Sequence, residues 1–191
     1  MEVTKEQIKR MGSMLDGCMS SKELFQVIAD EKDPHAFDVL ITYVQGKVAW
    51  TEPILLPLTD HLMIVAKETG KQRQAIVKCT CGHEFTEYRV NWKVQANVYV
   101  RRSEESFQEL YPQGMHATEG WHEIREYYCP GCFALLDVEA VPPGYPPVFD
   151  ALPDLQTFYR DWLMRSLPVD PHEFEDFTTQ YIADNFAQRE V

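Results

Sequence analysis

Cysteine is the residue most able to do chemistry in this 191-residue chain, and four of its five cysteines fall into two tight pairs, Cys79/Cys81 and Cys129/Cys132. Thiolate sulfur suits Zn²⁺, and a four-sulfur tetrahedron built from two chain-local pairs is how small zinc ribbons pin their hairpins. The pattern predicts a structural zinc on Cys79, Cys81, Cys129 and Cys132. The 47 residues between Cys81 and Cys129 are a long insertion, since a compact site of this kind has about 15–20. His83, two residues after Cys81, leaves a Cys₃His ligand set open beside Cys₄. Gly82 stands where a knuckle wants glycine after its second cysteine, but Phe133 takes that place in the second pair. A Cβ is costly at positive φ, so an irregular second knuckle is expected.

Two other chemistries fit the same residues. Cys129-Pro130-Gly131-Cys132 has the spacing of a thiol–disulfide redox pair, which normally opens a helix whose N-terminus lowers the thiol pKa. The segment after it, Ala134 to Glu139, reads as a strand. A catalytic zinc would keep an open coordination position beside a general base, a role in which His122 or Glu123 can be cast. Cys18 stands alone in an N-terminal helical stretch and reads as a small buried apolar residue.

The elements that position the pairs are strands. His61–Lys67 and Gln74–Lys78 flank a turn containing Gly70 and form a hairpin whose second strand runs straight into Cys79. Trp121–Tyr128 runs into Cys129, and Ala134–Glu139 runs out of Cys132, so the second pair is itself a hairpin turn. Between them, Trp92, Val94, Ala96, Val98 and Val100 alternate with polar residues, which predicts a strand with an apolar face. A short helix follows from the cap Ser103 to Tyr111.

Ahead of this core lie three predicted helices. Thr4 caps the first with Gln7, and Ser21 caps a second that presents Leu24, Val27 and Ile28. Asp33 and Pro34 start a third, with Phe37, Leu40, Ile41 and Val44 as its stripe and an end near Gly46. Behind the core, Val141–Phe149 is too rich in proline for a helix or an inner strand. A closing helix is predicted over 154–166 with Leu155, Phe158, Tyr159, Trp162 and Leu163 on one face, followed by an acidic tail bearing Phe174, Phe177, Tyr181 and Phe186. The fold class is α+β. A helical lead-in (1–48) precedes a β-rich zinc-ribbon-like core with a long insertion (49–140), and a proline-rich segment, helix and tail (141–191) complete one unit.

Charge narrows the partners. Acidic residues outnumber basic ones 30 to 18, a formal net charge of -12, and that field repels nucleic-acid phosphates. No stretch approaches the ~20 apolar residues of a membrane span, and no apolar run follows the first charges, so a cytoplasmic protein is expected. Hydrophobic residues at 45% suffice for a globular core. No GxGxxG or GxxxxGK[ST] loop is present, and the histidines form no triad or HExxH motif, so neither a nucleotide site nor a catalytic site is expected on this chain. The four tryptophans read as core or interface anchors.

Several motifs together resemble a known family. Lys78-Cys-Thr-Cys-Gly-His-Glu-Phe85, Asn91-Trp-Lys93, Arg125-Glu-Tyr-Tyr-Cys-Pro-Gly-Cys132 and Leu136-Asp-Val-Glu-Ala-Val-Pro-Pro-Gly-Tyr-Pro146 closely resemble the gamma subunit of acetone carboxylase, over about residues 30 to 167. The resemblance implies a non-catalytic gamma chain that carries zinc on Cys79, Cys81, Cys129 and Cys132 within a heterohexamer of two alpha, two beta and two gamma chains. It also implies that the larger subunits bind ATP and a further divalent metal and convert acetone and bicarbonate to acetoacetate. The proline-rich belt and the aromatic tail (174–186) are then expected to dock on those subunits. The other reading is a free-standing zinc-ribbon adaptor for protein partners.

Overall fold

The computed structural model describes residues 3–31, 33–112, 114–116, 118–171 and 173–186. It begins with three helices, α1 (Lys5–Leu15), α2 (Ser21–Ala29) and α3 (Ala36–Gln45). Thr4 and Gln7 form the expected capping box on α1. The cap of α2 is Ser20 rather than Ser21, because Ser20 is the residue with Glu23 three positions into the helix to reciprocate. Asp33 does not cap α3 directly. Its carboxylate accepts from the His35 N–H in a turn that carries Pro34, and the helix starts at Ala36. The stripe expected to bury α2 is largely outside: Leu24 and Ile28 are exposed together with Phe25, and only Val27 turns partly inward.

An antiparallel sheet in the order β1-β2-β3-β4 follows, with β1 at Ile54–Pro57, β2 at Leu62–Thr69, β3 at Gln72–Cys79 and β4 at Glu84–Glu87. The predicted hairpin is its centre, paired in unbroken register from Leu62↔Cys79 to Thr69↔Gln72. Both faces of this hairpin are covered. Leu62, Ile64, Ala66 and Val77 join the main core with Trp92, Tyr127, Leu155 and Tyr159, while Met63, Val65 and Ile76 pack with Ile54 under Ile41 and Val44 of α3. Burial on two faces explains the near-continuous apolar run of β2.

The predicted strand from Trp92 to Val100 is not one element. Trp92–Gln95 forms a 3₁₀ turn, and only Asn97–Arg101 is a strand, β5. Asn91 Oδ1 accepts from the Lys93 N–H and fixes the turn, a local bond that competes with extended backbone. The alternation also misleads about the face, for Val98 is 44% exposed while Lys93 is 2% exposed. After a short helix, α4 (Glu104–Gln108), come β6 (Glu123–Tyr128) and β7 (Leu135–Val141), the second predicted hairpin. β5 adds to its edge in the order β5-β6-β7. The long insertion therefore supplies the third strand of the second hairpin's own sheet.

The closing helix is shorter than expected. One α turn, α5 (Leu155–Thr157), runs into a π turn over Phe158–Trp162, in which the Leu163 N–H reaches back to the Phe158 carbonyl. Leu155 and Tyr159 are buried, and the Tyr159 hydroxyl donates to the Leu55 carbonyl at 2.9 Å. Trp162 faces out. The tail returns along the body: the Asp170 N–H donates to the Arg73 carbonyl, the Phe177 N–H to the Arg89 carbonyl, and Asn91 N–H to Thr178 Oγ1. Thr178–Phe186 is helical (α6), and the last five residues of the predicted tail lie outside the described ones. Among the described residues no helix is long and apolar enough to cross a membrane.

Candidate metal centre

β3 ends at Cys79, and its chain turns back through Thr80, Cys81, Gly82 and His83 into β4. The Cys79 N–H donates to the His83 carbonyl at 2.8 Å and the Gly82 N–H to the Cys79 carbonyl at 2.8 Å, closing a tight knuckle. Trp50 braces it from outside the strands, since its indole N–H points at the Cys79 and Thr80 carbonyls, 3.2 Å from each. The second knuckle joins β6 to β7. There the Cys129 N–H donates to the Ala134 carbonyl at 3.0 Å and the Phe133 N–H to the Cys129 carbonyl at 2.9 Å.

The two knuckles meet through their sulfurs. Cys79 Sγ lies 3.9 Å from Cys132 Sγ and Cys81 Sγ lies 3.8 Å from Cys129 Sγ, and all four sulfurs fall within 4.8 Å of one another. All four are free thiols, far beyond disulfide length. A tetrahedral Zn²⁺ with Zn–S bonds of ~2.3 Å has sulfur–sulfur edges of about 3.8 Å. The cluster thus has the dimensions of a four-thiolate cage that can hold such an ion. Each knuckle contributes one buried sulfur, Cys79 or Cys129, and one outer sulfur, Cys81 or Cys132.

The surroundings support the same use. Gly131 sits against the first knuckle so closely that a Cβ there would fall 2.9 Å from His83 Cβ and 3.4 Å from Cys81 Sγ. Amide N–H groups of His83 and Gly131 point at Cys81 and Cys129 sulfurs at 3.5 and 3.4 Å, the kind of donor that stabilises thiolate. Burial pushes the Cys79 and Cys81 thiols up, while the backbone N–H of Ala134 pulls Cys132 down. Deprotonating all four without a cation would place like charges a few ångströms apart, which a divalent metal relieves. His83 stands outside the four-sulfur cluster, and its ring is edge-on to Phe85 at 5.0 Å. His122 stacks on Phe107 and Glu123 pairs with Arg102 and Arg125, so neither joins the sulfurs. Cys132 is followed by a strand, as expected, and not by the helix of a redox pair. Cys18 is exposed rather than buried.

A second polar cluster went unread in the sequence. Lys93, fully enclosed, places its ammonium 2.7 Å from Asp137, 3.2 Å from Glu139 and 2.8 Å from Asp150. Glu139 also accepts from the Tyr127 hydroxyl and from Arg125, which in turn holds Glu123. Burial would favour loss of the Lys93 proton, but hydrogen bonds to Asp137, Asp150 and Glu139 outweigh it and hold the ammonium well above the usual lysine range. The signal available in the sequence was the i,i+2 spacing of charges at Glu123/Arg125 and Asp137/Glu139, which puts them on one face of each strand. Residues of Asn91-Trp-Lys93, Arg125-Glu-Tyr and Asp137-Val-Glu139 thereby meet in one place.

Comparison with known proteins agrees with these motifs. The family model described as acetone carboxylase gamma subunit matches residues 48–163. The acetone carboxylase gamma subunit of Xanthobacter autotrophicus is 40% identical over 156 residues, covering 82% of this chain and 90% of that protein. The acetophenone carboxylase beta subunit of Aromatoleum aromaticum is 31% identical over 80 residues, 40% of this chain and 61% of that protein. With the model matching more than half its length and a relative of this similarity covering most of it, the chain belongs to the acetone carboxylase gamma subunit family.

Proposed function

We propose that this chain is a zinc-bearing, non-catalytic structural subunit of a cytoplasmic, ATP-dependent ketone carboxylase, in which Cys79, Cys81, Cys129 and Cys132 hold one Zn²⁺. The observation that carries the metal reading is the sulfur spacing of 3.8 and 3.9 Å, which matches a closed tetrahedral cage. Four protein sulfurs leave no open coordination position, so the ion braces the two hairpins instead of activating water. The family relationship supports the assembly: larger alpha and beta subunits, two copies of each chain, with ATP, a second divalent metal and the conversion of acetone and bicarbonate to acetoacetate on the partners.

Native mass spectrometry of the tagged chain isolated from its source cells tests both parts at once. A large assembly with two heavier chain types and one zinc per copy of this chain is the expected result. A zinc-bearing species at the 22.2 kDa chain mass alone would overturn the subunit reading in favour of a free-standing adaptor. An assembly without zinc would overturn the metal reading.

A further inference from the structure

α2 is a capped helix of nine residues, none of them buried. Helices shorter than about 12–15 residues are marginal in water without packing, and here the apolar side faces out: Leu24 is 43% exposed, Ile28 62% and Phe25 72%. Beside it lies a groove of about 230 Å³ between the three N-terminal helices. Val27 of α2 forms one wall, Met11 and Met14 of α1 a second and Val39 of α3 a third. Leu24 neighbours both Val27 at i+3 and Ile28 at i+4, so the groove and the exposed face of α2 form one continuous apolar surface. Met19 joins Met11 and Met14 in the lining, and flexible thioethers repack around whatever side chain enters.

The rim of this surface is acidic. Among the described lining residues Asp30, Glu31 and Asp33 stand against a single guanidinium, Arg10, which pairs with Asp30 at 3.2 Å. That charge selects the occupant. A second copy of this chain brings the same carboxylates and the same net charge of -12, so like charge opposes self-docking. An anionic lipid surface is opposed in the same way, and α2, with Lys22 beside Glu23, lacks the Lys/Arg-rich polar face of a membrane-surface helix. What fits is an apolar protein segment flanked by Lys or Arg. An amphipathic helix presents such a segment, laying side chains at i, i+3 or i+4, and i+7 into a groove.

We propose that α2 and the methionine-lined groove dock a basic amphipathic helix of one of the larger carboxylase subunits, its apolar side chains entering the groove and its lysines or arginines meeting Asp30, Glu31 and Asp33. The source of that helix rests on the subunit reading above, whereas its chemistry follows from the surface. The three helices precede residues 48–163, the part that the family model matches, so the family relationship by itself assigns them no role.

The test compares amide hydrogen exchange in the assembly isolated from source cells with that of the full-length chain alone. Exchange over Ser21–Ala29 should slow about tenfold or more in the assembly. Two exposed substitutions accompany it. Phe25→Asp breaks the apolar face and should weaken assembly about tenfold or more, and Glu31→Lys sets like charge against the basic partner and should weaken it by a factor that shrinks in high salt. If Phe25→Asp does not fold, Glu31→Lys and the exchange measurement decide. Unchanged exchange at α2, or unchanged assembly in the folded variants, overturns this inference and leaves the subunit reading standing. Sedimentation of the parent chain alone as a dimer that Phe25→Asp abolishes would overturn it in favour of a second copy, and binding to phosphatidylserine vesicles that Phe25→Asp abolishes would overturn it in favour of a lipid surface. If no larger chain co-purifies with the parent, the subunit reading and this inference fall together.

Discussion

The first knuckle closes its backbone hydrogen bond between Cys79 and His83, the second between Cys129 and Ala134, one residue later, as CxC and CxxC spacing requires. Both place the residue after their outer cysteine in the left-handed region, Gly82 at φ 99° and Phe133 at φ 58°. Glycine enters that region freely, whereas a residue with a Cβ is disfavoured there by roughly 1–2 kcal/mol. Burial does not offset this at Phe133, whose side chain is 69% exposed. The second knuckle is therefore regular in its closure and strained in its residue, where the sequence led us to expect irregular geometry. Convergence of four sulfurs and two hairpin bonds outweighs one unfavourable φ. Glycine after the outer cysteine is a convenience of the motif and not a condition for it.

The largest expected effect separates inner from outer sulfurs. Structural zinc in small domains contributes about 10–16 kcal/mol of apparent binding energy at neutral pH. Chelation is expected to remove cooperative thermal unfolding of both hairpins, followed by circular dichroism. Cys79→Ser and Cys129→Ser should lower Tm more than Cys81→Ser and Cys132→Ser, because the former leave a hydroxyl in a buried site with a crippled cage. Equal losses at all four positions would show that burial adds nothing beyond ligation.

A smaller effect is expected where the knuckles touch. Gly131→Ala drives a Cβ to within 2.9 Å of His83 Cβ, and overpacking of this kind costs typically 1–3 kcal/mol. At Gly82 an added Cβ meets only Trp50 Cδ1 at 3.6 Å, so Gly82→Ala is destabilising through φ alone. Denaturant titration of both variants, with His83→Ala added to each, tells them apart. Because the 2.9 Å contact is with the His83 Cβ, which alanine keeps, that background relieves only the part of the Gly131 clash that comes from the ring, and it should leave the Gly82 cost unchanged.

The smallest effect has the opposite sign. Phe133→Gly is expected to stabilise the zinc-loaded chain by about 1 kcal/mol, read as a higher denaturant midpoint at unchanged slope. A loss of stability would mean that the exposed ring contributes to the cage, for instance by shielding the outer sulfurs, and the two knuckles would then differ in kind.

Much of this was legible because it is local. The hairpin around Gly70, the strands flanking Cys129 and Cys132, and the capping box of α1 are each set by residues within a few positions of one another. So is the pairing of the cysteines within each knuckle, since spacing along a turn fixes which sulfurs can face the same way. The misreadings share a cause. The stretch from Trp92 alternates like a strand, but Asn91 caps a turn through its side chain and three carboxylates from β7 and the 150 region draw Lys93 inward. The outward face of α2 and the π turn at Phe158–Trp162 likewise depend on what lies beside them.

Sequence by itself determined the α+β class, the two hairpins, the four sulfurs and the family they belong to, because local spacing and periodicity encode all of these. Only the tertiary structure decided that the four sulfurs stand within 4.8 Å of one another, that the insertion completes the second sheet, that Lys93 is enclosed, and that the Asn91 side-chain nitrogen is buried with no partner. Those outcomes turn on charge pairing and packing between segments tens of residues apart, where the free energy of a side chain is set by neighbours that its own stretch of sequence does not contain.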